Sequence, residues 1–443
     1  MFQSDVRISG SGGIDLKNSF REISGSICAP LGFKCASVFC DIKKLGTGKG
    51  SEKGRKDDLA LIVSDRPAAV AGMFTTNQVC AAPVKISRRV SAKKFARAIV
   101  VNSGNANAAT GARGMRDAEA MTRIAGKALS LSPAQVLVAS TGRIGVPMPM
   151  RNVERGIRAC APRLTRSASN ARRVAQAIMT TDTRLKEMAV ELKIENRIAR
   201  IGGICKGAGM IQPGMATMLC FITTDAAIES RVLKRSLQTA VEQSFNRITV
   251  DGDMSTNDSV IMLANGLAGN RKLFTRHSSL TTFQNALNYI CLELAKMIVR
   301  DGEGTSRVIR LKVCGAQNSR DAELAARAIA SSSLVRTSWS GGDPNWGRIL
   351  CALGYSKAKV DESIVDVGYA PAASRKIVFA FRRGRPTNLR LKSLAKITSA
   401  PEFDLQVDLH LGRGEFTICA ADLTEDYVTL NKGDVNDRTT LGG

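Results

Sequence analysis

Short apolar runs bounded by polar or glycine-rich turns alternate along this chain with stretches in which apolar residues recur every three or four positions. The first pattern predicts strands. Leu59-Ala60-Leu61-Ile62-Val63 is one, and Phe74-Thr75-Thr76-Asn77 ends a second apolar stretch. Ala98-Ile99-Val100-Val101-Asn102 runs into the small polar string Ser103-Gly104-Asn105-Ala106-Asn107, a composition suited to a site loop. Val136-Leu137-Val138-Ala139 leads into Ser140-Thr141-Gly142, and residues 219–222 and 260–263 are further short runs. The second pattern predicts helices. Leu233, Leu237, Val241 and Phe245 mark one over residues 229–247, and Phe283, Leu287, Ile290, Leu294 and Ile298 mark another. Residues 116–130 and 321–330 read the same way. Towards the carboxyl end strands prevail, at 377–381, 405–411 and 416–419. Strands and helices mixed throughout predict an α/β protein of layered sheets and helices. Two structural units are expected, parting near residue 217.

Composition narrows this. The chain has 443 residues, 44% of them hydrophobic, enough for a sizeable core. No run approaches the roughly 18 apolar residues of a membrane span. Residues 1–27 lack the apolar segment of a secretory signal, and residues 1–22 read as a mobile lead-in. Residues 43–57 form a Gly/Lys-rich loop or linker. The net charge of +25 would suit a nucleic acid if the cations clustered. They are dispersed, aromatic residues are 5%, and no zinc-finger or RRM signature occurs, so no nucleic-acid partner is expected. The excess charge can instead draw acidic small molecules towards a site.

The 11 cysteines include no CxxC pair. Cys220, Cys314 and Cys351 lie in apolar surroundings and read as small buried hydrophobes of a reducing compartment. That compartment is expected to be the cytoplasm, or an organellar matrix for a eukaryotic source. Only two histidines exist, His277 in the charged stretch Arg276-His277-Ser278 and His410 in a strand-like alternation. Neither neighbours a nucleophile signature, so a general base other than histidine is indicated.

Residues 202–217 are the most unusual segment. They read Gly-Gly-Ile-Cys-Lys-Gly-Ala-Gly-Met-Ile-Gln-Pro-Gly-Met-Ala-Thr and precede the apolar run Met218-Leu219-Cys220-Phe221-Ile222. This is no phosphate loop, because GxxxxGK[ST] is absent and a strand follows. One reading is a bent connection between strands. The other is chemical. A bend leading into a buried strand can strain one peptide bond, and a threonine after that bond can attack the preceding carbonyl. The N→O acyl shift and ester hydrolysis that follow leave a free α-amine. Its unperturbed pKa of about 7.7–8.0 lets it serve as a base at neutral pH.

Lys206-Gly207-Ala208-Gly209-Met210-Ile211-Gln212-Pro213-Gly214-Met215-Ala216-Thr217-Met218-Leu219 resembles the cleavage motif of the ornithine acetyltransferase family, the bifunctional glutamate N-acetyltransferases of arginine biosynthesis. Other segments match the same family in order. They are the 74–77 and 102–107 strings, Ser140-Thr141-Gly142, and Met179-Thr180-Thr181-Asp182-Thr183. Further on come Asp251-Gly252-Asp253-Met254-Ser255-Thr256-Asn257-Asp258, Arg300-Asp301-Gly302-Glu303-Gly304 and Gly342-Asp343-Pro344-Asn345-Trp346-Gly347-Arg348-Ile349. The resemblance runs from about residue 23 to the end. The longer amino terminus and the Lys-rich run are departures that touch no motif.

The resemblance implies an Ntn-hydrolase-like fold and autocatalytic cleavage between Ala216 and Thr217. An α chain of residues 1–216 and a β chain of 217–443 would result. Thr217 matches the nucleophile, and Thr141 with Gly142 matches the oxyanion-hole pair. Thr180, Lys206, Glu303 and Thr217 itself match substrate-binding positions. Lys206 would meet a carboxylate and Glu303 an ammonium, although Glu303 also sits in a turn-like composition. Near the end, Asn431 and Thr440 match substrate contacts, with Asn436 as an alternative to Asn431. The implied reaction is ping-pong acetyl transfer from N-acetylornithine to glutamate through acetyl-Thr217, with no metal or organic cofactor. Some members of the family also accept acetyl-CoA as donor. The α and β chains are expected to associate as a heterotetramer of two of each, with no membrane. Two rivals remain at this level: a self-processing threonine amidohydrolase or aminopeptidase, and a basic scaffold protein without catalysis.

Overall fold

The structure, a computed structural model, describes residues 19–43, 56–212, 218–389 and 391–432. Most of the expected lead-in and of the 43–57 run lies outside the described residues, as do Ala216, Thr217, Asn436 and Thr440. The end of the lead-in departs from expectation. Phe20–Glu22 is strand β1, paired antiparallel with β6, and the Phe20 ring lies 5.0 Å from that of Tyr289.

In chain order the strands continue as β2 (Phe33–Val38), β3 (Leu59–Phe74), β4 (Phe95–Asn105), β5 (Val136–Arg143), β6 (Lys186–Ile194), β7 (Arg197–Lys206) and β8 (Leu219–Thr224). Then come β9 (Ile248–Thr249), β10 (Ser259–Ala264), β11 (Val308–Ala316), β12 (Asp366–Pro371), β13 (Val378–Arg382), β14 (Arg385–Pro386), β15 (Glu402–Asp408) and β16 (Gly414–Ala421). Two compact units hold them. One joins Asp253–Ile298 to the described residues that precede Arg247; the other joins Arg247–Gly252 to Val299–Lys432.

The first unit is built on a sheet in the order β1-β6-β7-β8-β10-β3-β4-β5, with β2 paired to β3 off that path. β8 and β10 are buried at every position, so they read as continuous apolar runs and not as alternations. β3 is longer than its apolar run suggests because it continues past exposed Asp65, Arg66 and Pro67. Its first half pairs with β2 and its second with β10. Helices Ala82–Ser91, Gly111–Leu129, Met150–Cys160 and Ala168–Ala177 bury small apolar faces in the core that β2–β5 supply. Ser87 fixes one of them to the sheet: its Oγ donates to Val138 O at 2.6 Å and accepts from Val138 N at 2.8 Å.

The second unit has the sheet β14-β13-β12-β15-β11-β16-β9. Its core is built on Ile309, Leu311, Val313, Leu405 and Val407, with Trp339 and Tyr369 among the largest buried side chains. Helices Ser319–Ser331 and Ser333–Ser340 start at Asn318 and Ser332, whose side chains accept from Asp321 N and Val335 N.

The α/β class with layered sheets stands as expected, and several boundaries move. The compact units do not part near residue 217, because β8 is an interior strand between β7 and β10. Cleavage before Thr217 would be a covalent division of one sheet. The helix expected over 229–247 is Ser230–Glu242, followed by a tighter 3-10 turn at Phe245–Arg247. β15 ends at Asp408, and His410 lies beyond it with φ of 52°. Cys220 is buried as expected, but Cys314 is half-buried and Cys351 exposed, since Cys351 sits on the outward side of helix Trp346–Gly354. Apolar neighbours in sequence do not imply burial when the helix turns them to different faces. Among the described residues no helix is long and apolar enough to cross a membrane.

Candidate functional site

The parallel pairing of β4 with β5 carries strand geometry through Ser140, Thr141 and Gly142 to Arg143. The 102–107 string is therefore the end of β4 and its exit, and not a free loop. Its asparagines act as brackets. Asn102 Nδ2 donates to Asn105 O at 2.9 Å, and Ser140 Oγ donates to Asn102 Oδ1 at 2.6 Å. Asn105 Oδ1 accepts from Asn107 N at 2.8 Å, while its Nδ2 donates to Val146 O at 3.0 Å. The two strand ends approach closely. A Cβ on Gly142 would sit 2.2 Å from Gly104 C and 2.4 Å from Asn105 N, and Gly142 has φ of 131°. Only glycine fits both the space and the backbone there.

Residues 202–206 also depart from expectation: they are not a bend but the end of β7. Gly202 and Gly203 are there for space. A Cβ on Gly202 would lie 1.9 Å from Ser26 O, and one on Gly203 would lie 2.9 Å from Leu294 Cδ1. β7 delivers Lys206, 3% exposed, opposite Leu219 on β8.

Asp182 binds this strand end to the Thr180 segment. Its Oδ2 accepts from Thr180 N at 3.0 Å. Its Oδ1 accepts from Gly207 N at 2.7 Å and from Lys186 Nζ at 2.7 Å. Burial pushes the Asp182 carboxyl up, but the ammoniums of Lys206 and Lys186 and the donated hydrogen bonds outweigh it and hold it at about 2. Asp182 is thus a buried carboxylate with compensating charge.

A second buried carboxylate, Asp258, differs. Its Oδ1 accepts from Met218 N at 2.9 Å, whereas Oδ2 has no hydrogen-bond partner among the described residues. Burial drives this carboxyl well above the usual range, against the opposing pull of the Met218 amide and the Lys206 charge. Its neighbour Asn257 donates through Nδ2 to Ser140 O at 2.8 Å and to Ala106 O at 2.6 Å. Asn257 and Asp258 lie in the polar string just before β10, which begins at Ser259, and β10 is not a neighbour of β5 in the sheet order. The consecutive residues Asn257 and Asp258 therefore hold the residue before Thr141 and the residue after Thr217.

In the other unit, Glu303 and Asn431 meet: Asn431 Nδ2 donates to Glu303 Oε2 at 2.8 Å and to its own helix at Tyr427 O, 3.0 Å away. Helix Glu425–Asn431 is capped by Thr424, whose Oγ1 donates to Gly304 O at 2.7 Å. Gly304, with φ of 67°, lets this happen, because a Cβ would lie 2.4 Å from Tyr427 N. The turn composition around Glu303 is real, and the turn presents Glu303 to Asn431.

Neither histidine stands beside a nucleophile. His277 Nε2 pairs with Glu195 Oε1 at 3.2 Å, and His410 Nε2 lies 2.9 Å from Asp366 Oδ2. A surface recess lined by Met73, Phe74, Arg88 and Lys234 holds none of the expected site residues. Asp182, Asn257 and Asp258 fall within the motifs, but the sequence alone assigns them no role. The available signal was their position, each an Asn or Asp in a short polar string just before a strand.

The ArgJ family model matches residues 38–433. An arginine biosynthesis bifunctional protein ArgJ from Symbiobacterium thermophilum is 45% identical, over 92% of this chain and 98% of that protein. A glutamate N-acetyltransferase from Methanocaldococcus jannaschii is 43% identical, over 93% of this chain and 98% of that one. A solved structure of the Bacillus halodurans arginine biosynthesis bifunctional protein argJ is 39% identical, covering 47% of this chain and 95% of that chain at a TM-score of 0.44. Matched across most of its length by the family and aligned with nearly the whole of these relatives, the chain belongs to the ArgJ family.

Proposed function

We propose that this chain is a glutamate N-acetyltransferase of arginine biosynthesis that moves an acetyl group from N-acetylornithine to glutamate through acetyl-Thr217, after cleaving itself between Ala216 and Thr217. The observation that carries the reading is the pair Asn257 and Asp258. One holds Ser140 O and the other Met218 N, so the flanks of the expected oxyanion pair and of the expected nucleophile are tied to consecutive residues.

The chemistry follows from the residues. The Thr217 hydroxyl attacks the acetyl carbonyl, and its own α-amine takes the proton. The main-chain and hydroxyl donors of Thr141 and Gly142 stabilise the tetrahedral anion; one such donor is worth on the order of 2.7–4 kcal/mol of barrier. Ornithine leaves with the proton, and the glutamate amine then attacks acetyl-Thr217. By the family resemblance, Thr180 and Lys206 are assigned to the substrate carboxylate, Glu303 and Asn431 to the ammonium, and Thr440 to a further substrate contact. The reaction uses no metal or organic cofactor, and the cleaved α and β chains stay together as a heterotetramer. Acetyl-CoA is a second donor to be assayed directly.

Intact mass of the denatured protein tests the core of this. Wild type is expected as two fragments meeting between Ala216 and Thr217, and Thr217→Ala as one uncleaved chain with transfer reduced by on the order of 10⁴-fold or more. An uncleaved, inactive wild type overturns the reading. Release of acetate at the same rate with and without glutamate would favour an amidohydrolase.

A further inference from the structure

Thr180 lies between helix Ala168–Ala177 and β6, and Lys206 ends β7. The two are far apart in sequence, and the Thr180 segment is not part of the sheet. One side chain spans them. Asp182 accepts from Thr180 N on one oxygen and from Gly207 N, the amide following Lys206, on the other. We propose that Asp182, with Lys186 as its counter-ion, is a positioning residue that sets the spacing between Thr180 and Lys206 and so the geometry of a carboxylate-binding subsite. This rests on the reading above that Thr180 and Lys206 meet the substrate carboxylate.

Three observations support it. First, the two oxygens of Asp182 accept from donors in three separate places, so the carboxylate cannot shift towards one without leaving another. Second, the Asp182–Lys186 pair is almost completely buried, at 0% and 1% side-chain exposure, and a pair of this kind contributes little net stability compared with an apolar one. Its use lies elsewhere, in fixing geometry. Third, Lys186 begins β6 opposite Cys205 on β7, one residue before Lys206, so the counter-ion belongs to the strand pair that it helps to orient. The Lys186 ammonium also places a positive charge against Asp182. An anionic ligand at Lys206 therefore approaches a carboxylate that is already balanced, and like-charge repulsion is reduced.

Two variants test the inference. In Asp182→Asn the amide cannot accept on both sides, so one main-chain donor loses its partner. Lys186→Met keeps both main-chain bonds and removes only the counter-ion. Wild-type cleavage and transfer are measured first, since their absence overturns the proposed function and not this inference. KM for N-acetylornithine and glutamate is then read alongside kcat, with glutamate dissociation constants from calorimetry as a measure that needs no turnover. Asp182→Asn is expected to raise KM and the dissociation constant by about 10-fold to 100-fold, the size of a lost charge-assisted hydrogen bond, with a smaller change in kcat. Lys186→Met is expected to raise them by about 3-fold to 10-fold. A merely structural role would lower the amount of active enzyme and leave both constants at wild-type values, and that result overturns the inference. If Asp182→Asn yields no soluble protein, Lys186→Met decides by the same criterion.

Discussion

Around Thr141, Gly142 and Lys206 the polar groups are bracketed inside a sheet by Asn102, Asn105, Asp182, Asn257 and Asp258, whereas Glu303 and Asn431 are joined by one 2.8 Å hydrogen bond near the surface of the other unit. The contrast follows the chemistry expected of each region. Stabilising an oxyanion requires donors fixed within a few tenths of an ångström, and their energy comes from not having to reorganise. Gripping a flexible ammonium needs charge more than rigidity, and a half-buried carboxylate supplies it. The buried region is therefore expected to respond to a single methyl group, and the other to a change of charge.

Gly142→Ala is the severest check. The added Cβ meets Gly104 and Asn105 main-chain atoms, so the proposed oxyanion donors must move. A fall in kcat of about 10²-fold to 10³-fold is expected, with cleaved protein still recovered. Near-normal kcat would remove the rigid-donor account. Glu303→Gln comes next. Its Oε1 can still accept from Asn431, so only charge is lost, and KM for N-acetylornithine should rise about tenfold while kcat falls less. An unchanged KM would mean that the ammonium is held elsewhere.

Within the buried region, the two carboxylates are expected to respond oppositely to pH. Asp182 is held at about 2, so its stabilising contribution is present above the unfolded value of about 3.9 and is lost as pH falls towards 2. Asp258 is raised, so its contribution is present below about 3.9 and is lost as pH rises through its folded value. Asparagine imitates the neutral acid and keeps an acceptor for Met218 N. Asp258→Asn should thus raise Tm at pH 8 by about 2–4 °C over wild type, with less difference at pH 4. A scan showing greater loss at pH 8 than at pH 4 would contradict the raised carboxyl. Asn431→Ala should have the smallest effect, a change of a few-fold in kcat/KM, because its bond to Glu303 is exposed to water. A loss as large as that of Glu303→Gln would show that the surface region is as constrained as the buried one.

Much of the fold was legible in the pattern of residues. The apolar runs at 59–63, 98–102, 136–139 and 219–222 are all strands, and the four-residue spacings at 233–241 and 283–298 are helices. Such signals are local, because side-chain periodicity depends only on the element a residue is in. Gly202 and Gly203 read as a bend because glycine marks a bend by itself and a close approach only in company. The Ser26 carbonyl and Leu294 that need the space are remote in sequence.

The order of motifs settled the family, and Thr141, Gly142, Lys206 and Glu303 could be named as candidates from it. What the residues around them do was decided by tertiary structure. Asn431 reaches Glu303 only because Gly304 lets the Thr424 cap approach, and Asn257 reaches Ser140 across 117 residues of sequence from a string whose strand is not a neighbour of β5. Asp182 becomes a low-pKa carboxylate only where Lys186 and Lys206 surround it in a buried place. Sequence carries propensity and chemical type at each position. Hydrogen-bond partners, burial and the resulting charge states depend on distances between residues that the chain alone does not bring together.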